Sequence, residues 1–253
     1  MLRFYAEKFH AATHMLSGLS AFIQSTENDV VDIDETAALE MVEILSGLST
    51  ILEELNLLVS KKSVDFIHEK LRTKPVIDET LRFIIEHLYR TINDELSVAV
   101  FFYLKPENAK FYDQQEPLFG LEADTAFPSS SFDIKEAGRC LALGRSTACV
   151  MHLMRALETP LKIMAADLGV TLKRDNWGTA LGDIEKKILA LNPKTDADKK
   201  EFHSSAAVQF RFFKDAWRDG SMHARSKYGD EEADEILRAV KAFMRHLAKR
   251  IKE

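Results

Sequence analysis

Apolar residues three and four positions apart mark out a succession of helices in the first part of the chain. Leu2 to Gln24 is the first, and the polar, acidic break STENDVVDIDE follows it. Asp34 can cap a second helix that runs to about Leu58 through Ala38, Val42, Leu45, Leu48 and Leu52. A third is expected over Ser63–Arg72, before Pro75, and a fourth from about Asp78 to Glu95. Connections this short favour antiparallel neighbours.

The pattern changes at SVAVFFYLK, Ser97–Lys105. This run is β-branched and aromatic, Pro106 follows it, and it is the strand candidate of the chain. Residues 106–127 hold no clear period and are expected to form an ordered connector, since Phe111, Tyr112, Leu118, Phe119 and Phe127 need somewhere to pack. Helical periodicity then returns. Asp133–Leu143 and Arg145–Leu168 are expected helices, the second bent or split by Pro160 and closed by Gly169. Further helices are expected over Asn176–Leu191, Asp198 to about Arg218, and Asp230–Ile251, with a polar turn over Asp219–Gly229. The expected organisation is an acidic helical region (1–96), a connector with one strand (97–127) and a second helical domain (128–253). The fold class is mainly α.

Charge separates the two halves. Residues 1–127 hold 11 Lys and Arg against 22 Asp and Glu, a balance of −11; residues 128–253 hold 23 against 18, a balance of +5. This suggests a basic working region beside an acidic one that restrains it or contacts a partner, although helical surfaces vary in charge without any function. No apolar run reaches the length of a membrane span, and the amphipathic start with Glu7 lacks the order of a secretory signal. Two cysteines, Cys140 and Cys149, are too few for a disulfide framework or a four-thiolate zinc site. The cytoplasm is the expected compartment.

There is no GxGxxG, Walker A, GxSxG or CxxC sequence, and no cofactor is expected. Cys140 and Cys149 lie on expected helices as small apolar groups. A metal reading rests on Glu7, His10 and His14 along one helix face and on Asp65 with His68, but nothing fixes the remaining ligands of a di-metal bundle. A solvated polar face accounts for the same residues.

The strongest local feature is AWRDGSMHARSKY, from Ala216 to Tyr228. Arg218 is expected to end one long helix, and His223 lies five residues on, before the next. Lys214, Arg225 and Lys227 add positive charge, which makes an anion site. Spacing alone carries little weight: Arg3–His10, Arg82–His87 and Arg145–His152 are comparable pairs inside amphipathic helices. Only Arg218–His223 has a helix–turn–helix context with Asp after the Arg and Gly in the turn. The stripe Phe210, Phe213 and Trp217 reads as core.

On these residues the C-terminal part resembles the HEPN superfamily. AWRDGSMHARSKYGDEEADEIL with AVKAFMRHLA looks like the end of such a domain, which is marked by Arg, a polar residue and then His four to six residues after the Arg. Arg218, Asp219 and His223 match in order. FDIKEAGRCLALGRSTACVMHLMRALE looks like its first two helices and NWGTALGDIEKKI like its middle one. The resemblance covers about residues 128–253 and implies a bundle of about five helices. It implies either a metal-independent endoribonuclease of toxin or anti-phage type, or an inert interaction or nucleotide-binding module. One toxin subgroup carries a Tyr two residues after the His, the target of its antitoxin. Arg225 stands there in this chain, and the nearest Tyr is Tyr228.

Metal-free RNA cleavage needs a base for the 2′-hydroxyl, an acid for the 5′-oxygen and charge stabilisation at phosphorus. His223 suits either proton transfer near its ordinary pKa of about 6.5. Arg218 can hold phosphate oxygens through its planar fork. One clear His per chain for two transfers implies a homodimer that brings two such turns together. Asp219 would orient Arg218 or His223; alternatively, Arg218 and Asp219 simply pair with each other. Glu158 and Arg155, on the second helix of the domain, either face the motif or sit on a solvated face. The expected partners are RNA, a second copy and an antitoxin or regulatory protein; no membrane is expected.

Overall fold

A computed structural model describes residues 10, 14–18, 20–21, 30–100, 104–172, 176–222 and 226–253. The chain divides into two compact units, Met1–Phe102 and Tyr103–Glu253, each with its own apolar core. The fold is mainly α-helical. No described helix is long and apolar enough to cross a membrane.

In the first unit, three helices follow a two-residue strand: β1 (Val31–Asp32), α1 (Glu35–Glu54), α2 (Leu58–Thr73), β2 (Val76–Ile77) and α3 (Glu79–Ser97). Asp34 caps α1 by accepting from the N–H groups of Thr36 and Ala37, as its position implies. Asp78 does the same for α3 through Leu81 N–H. The start of α2 has no local cap. Its first amides, of Val59 and Ser60, donate instead to the carboxylate of Glu95 at 3.0 and 2.8 Å. A residue 35 positions away thus satisfies the helix end that Leu57 cannot. Leu45, Leu48 and Leu52 of α1 share their core with Val64, Ile67 and Leu71 of α2 and Leu81 and Leu88 of α3. The acidic break before α1 contributes β1, which pairs antiparallel with β2 (Val31 opposite Ile77).

The expected strand at Ser97–Lys105 is corrected. Ser97 is the last residue of α3, Val98–Val100, Leu104 and Lys105 are irregular, and residues 101–103 lie outside the described residues. Pro106 does not stop a strand; it opens a helix, α4 (Pro106–Tyr112), where its missing N–H costs nothing. The connector is therefore helical. With α5 (Leu121–Ala126) it lays Phe119 and Phe127 into the core of the second unit, with Phe111 and Leu118 packed against that core. Gly138 lets this happen: a Cβ there would meet Gln114 Nε2 at 2.4 Å and Phe111 O at 2.9 Å.

The second unit continues with α6 (Ser131–Ala142), α7 (Ser146–Ala156), α8 (Glu158–Asp167), α9 (Trp177–Ala190), α10 (Ala197–Phe213), a π-helical turn (Lys214–Arg218), a short helix α11 (Asp219–Met222) and α12 (Asp230–Leu247). Asn176 caps α9 through Thr179 N–H. Gly169, at φ 67°, closes α8: its own N–H bonds Ala166 O, and Val170 N–H reaches back to Ala165 O. Phe210 lies at the centre of this core, with ring centroids 4.8 Å from Phe243 and 5.8 Å from Trp177.

Pro160 splits α7 from α8 at Leu157, and the cause is specific. Pro160 has no N–H for the carbonyl four residues back, Ala156 O. The buried Ser130 hydroxyl donates to that oxygen at 2.8 Å. Ser130→Ala leaves it unsatisfied, so a loss of about 1–3 kcal/mol is expected in urea unfolding. A loss below about 0.5 kcal/mol would mean that another group takes over the bond.

Candidate functional site

The helix that carries Arg218 does not end there. The sequence places its end at Arg218, with a polar turn from Asp219; instead α10 passes into the π-helical turn and then into α11, which runs to Met222. Lys-Asp-Ala-Trp-Arg is ordinary helical composition, so nothing in the letters announces the wide turn. A π turn carries one extra residue and rotates the residues after it by about 100° relative to a continuous α-helix. Phe210 and Phe213, before the turn, stay in the core at 0% and 3% exposure, whereas Trp217, inside it, is half-buried.

Arg218 points into a set of side chains from three elements. Its guanidinium carbon lies 5.1 Å from the centroid of the Trp177 ring at the start of α9, within cation–π range. Its Nη2 is 3.4 Å from Glu158 Oε1, in the first turn of α8, and its Nη1 is 3.9 Å from Asp219 Oδ1. The side chain is 15% exposed, and Nε is buried without a hydrogen-bond partner. Lys214, at the start of the π turn, donates to Asp219 Oδ2 at 2.8 Å and to Asp215 Oδ1 at 2.9 Å, and these bonds raise its pKa above 10.5. The described cluster therefore holds two cations among three carboxylates, those of Glu158, Asp215 and Asp219. An incoming anion would have to exchange with one of them.

Tyr228 secures the far side of the turn. It is 9% exposed, donates its hydroxyl to Trp217 O at 3.1 Å, and gives its N–H to Thr147 Oγ at 3.2 Å. Burial pushes its phenol above the usual 10.0. The returning chain passes close to Gly220, where a Cβ would meet Ser226 Oγ at 2.8 Å and Tyr228 Oη at 3.1 Å. Tyr228 is thus a brace. Lys227 is exposed. His223 and Arg225 lie outside the described residues.

Arg155 is not part of this cluster. Its Nε donates to Asp133 Oδ1 at 3.0 Å, the oxygen that also lies 2.7 Å from His152 Nδ1, which ties α7 to α6. Trp177 is the neighbour of Arg218 that sequence reading misses; its only signal is its place directly after the Asn176 cap.

Cys149 is fully buried, and burial pushes its thiol up to about 12, while Cys140 is raised more modestly. Neither is an activated nucleophile. Among the described residues no group of three or more His, Cys, Asp and Glu gathers as metal ligands. Asp65 accepts from Ser49 and Lys61, His10 and His14 are exposed, and Glu7 lies outside the described residues.

A second histidine, not singled out by sequence, is buried at the other end of α10. His203 is 2% exposed, with Nε2 2.8 Å from Asp167 Oδ2 on α8. Burial holds its pKa below 6.5 against the opposing pull of Asp167. Burial pushes Asp167 up, but hydrogen bonds from Lys199 and His203 outweigh this and keep it below 3.8. Both shifts are depressions, so both contributions are complete at neutral pH and are lost on acidification. Between about pH 7 and 8 stability is expected to be flat; it should fall as pH drops through 6.5, because the unfolded chain takes up His203's proton first, and fall again near 3.8. His203→Gln should flatten the upper step in urea midpoints; equal wild-type midpoints at about pH 5 and pH 7.5 would contradict this.

Comparison with protein-family models, curated proteins and solved structures found no match.

Proposed function

We propose that the second unit is a metal-independent endoribonuclease of the HEPN type, with Arg218 as the phosphate-holding group and His223 as the acid–base group. The observation that carries this reading is the π turn. An irregular helix turn of this kind recurs at functional sites, and here it presents a largely buried arginine on an indole face directly before the segment that bears His223. Such a guanidinium is held in a fixed orientation, and it takes hold of phosphorane oxygens by exchanging the Glu158 or Asp219 carboxylate for them. Lys214 and Asp219 fix its surroundings. Glu158, one of the two residues named with the resemblance, meets it at 3.4 Å from the first turn of α8.

In this mechanism one His removes the 2′-proton and a second protonates the leaving 5′-oxygen. The second belongs to another copy of the chain, paired about a two-fold axis. The reaction is transesterification to a 2′,3′-cyclic phosphate and a 5′-hydroxyl.

A second reading is an inert HEPN module that binds a partner protein. It is favoured by the engagement of Arg218 with Glu158 and by its low exposure. The two separate in one assay. Purified full-length protein is incubated with total cellular RNA in excess EDTA, and new ends are mapped. Cleavage that leaves cyclic phosphate ends supports the enzyme. Intact RNA at every concentration, with a protein that still sediments as a folded species, supports the module.

A further inference from the structure

Two carboxylates approach the Arg218 guanidinium, and they are held very differently. Asp219 follows Arg218 directly in the chain, opens α11, and has Oδ2 fixed by Lys214 at 2.8 Å, so it cannot leave the neighbourhood. Glu158 comes from another element, opens α8, and is 31% exposed. Its Oε1 meets one nitrogen of the guanidinium, Nη2, at 3.4 Å. A charge-assisted N–H···O bond settles at about 2.7–2.9 Å, and an arginine–carboxylate pair is often bidentate. We infer that Glu158 is a displaceable latch: it occupies the place on Arg218 that a phosphate takes, and its departure sets the affinity of the site. The inference rests on the ribonuclease reading for the identity of the anion, a phosphodiester of RNA.

The surroundings suit a contact that opens. Trp177 holds the guanidinium by its face, 5.1 Å from the ring centroid, so Arg218 keeps its orientation when Glu158 leaves. Nη1 is 3.9 Å from Asp219 Oδ1, beyond hydrogen-bond range. A phosphodiester brings two non-bridging oxygens and can engage both Nη groups at once, where Glu158 engages one. The Arg218 side chain is only 15% exposed, and a charge pair made away from water is stronger than one made at the surface. The displaced carboxylate has somewhere to go. Glu158 lines a small recess with Leu161 and Lys162, and Lys162 follows it at i+4, the favourable order for a Glu–Lys pair on a helix. While the latch is closed its negative charge stands where the phosphate must enter, and the observed affinity is reduced by the fraction of molecules in which it is open.

The test is a double-mutant cycle on the full-length protein, read by binding of a mixed-sequence 2′-O-methyl RNA hexamer, whose blocked 2′-oxygen cannot attack. Glu158→Gln keeps the length of the side chain and an oxygen for Arg218 but not the charge. It should bind the hexamer about fivefold tighter than wild type, the gain expected if the latch is closed about four-fifths of the time. The gain should vanish in an Arg218→Met background, which keeps an apolar stem on the indole and leaves nothing to latch. Glu201→Gln, seventeen positions before Arg218 near the other end of α10, removes the same charge and should change nothing. In EDTA, cleavage at limiting RNA should speed up in Glu158→Gln by the same factor as binding. Tighter, Arg218-dependent binding without any cleavage would support the latch and sink the ribonuclease reading. Cleavage by wild type, with Glu158→Gln binding no tighter, would overturn the latch and leave that reading standing. An equal gain from Glu201→Gln, or in the Arg218→Met background, would also overturn it, because net charge would then account for the effect. So would a hexamer that binds neither wild type nor Glu158→Gln up to about 1 mM.

Discussion

His223→Ala is expected to slow RNA cleavage at least about a hundredfold, since one general acid–base group contributes roughly 10²–10⁴ in rate. The decisive comparison is with Arg218→Lys. Lysine keeps the charge but loses the planar fork and the stack on Trp177. If Arg218 works as an oriented donor pair rather than as a point charge, this substitution should cost about as much as losing one transition-state hydrogen-bond donor, roughly 10²–10³. The assay is single-turnover cleavage of a mapped RNA in EDTA, with melting curves for each variant. Both variants cleaving at wild-type rate would place any activity elsewhere in the preparation. His223→Ala alone being slow would leave Arg218 as a structural residue.

Trp177→Ala should be the most destabilising single change near the site, by about 3–5 kcal/mol. The indole is 3% exposed, packs edge-on against Phe210, and carries the Arg218 guanidinium on its face. Truncation opens a cavity against the central aromatic of the core and removes the surface that orients Arg218. Urea unfolding measures the first effect. Trp177→Phe separates the second: it restores much of the packing, yet a smaller ring is a weaker cation–π partner. Stability near wild type with reduced cleavage is the expected outcome for that variant. A loss below about 1 kcal/mol for Trp177→Ala would show that the neighbourhood collapses without cost.

The features legible in the sequence are local ones. Asp34, Asp78 and Asn176 cap their helices because a short acceptor before an apolar period has one obvious use. Gly169 closes α8 for an equally local reason. The features that escape a sequence reading are of another kind. Val98 and Val100 look like strand, yet this β-branched run pairs with no strand among the described residues, and the two side chains are 82% and 83% exposed. Pro106 is ambiguous between ending one element and opening the next, and only the packing of Phe111 and Leu118 against the following helices decides it. At the candidate site, Arg218, Asp219 and Lys214 stand out by composition. Their meeting with Glu158 and Trp177 depends on tertiary packing across 60 and 41 positions of chain, which no spacing rule reaches.

The π turn at Lys214–Arg218 makes chain length, rather than side-chain identity, the variable that sets where Arg218 points. A helix with one residue too many returns to regular winding when any one of them is removed. Deleting Ala216 would keep Arg218, Asp219 and His223 at their mutual spacing, yet carry the guanidinium about 100° around the axis and off the indole. Arg218, Asp219 and His223 would all survive, and the contact of Arg218 with Trp177 would not. For this chain an insertion or deletion between Phe213 and Arg218 is thus a more severe event than most substitutions there.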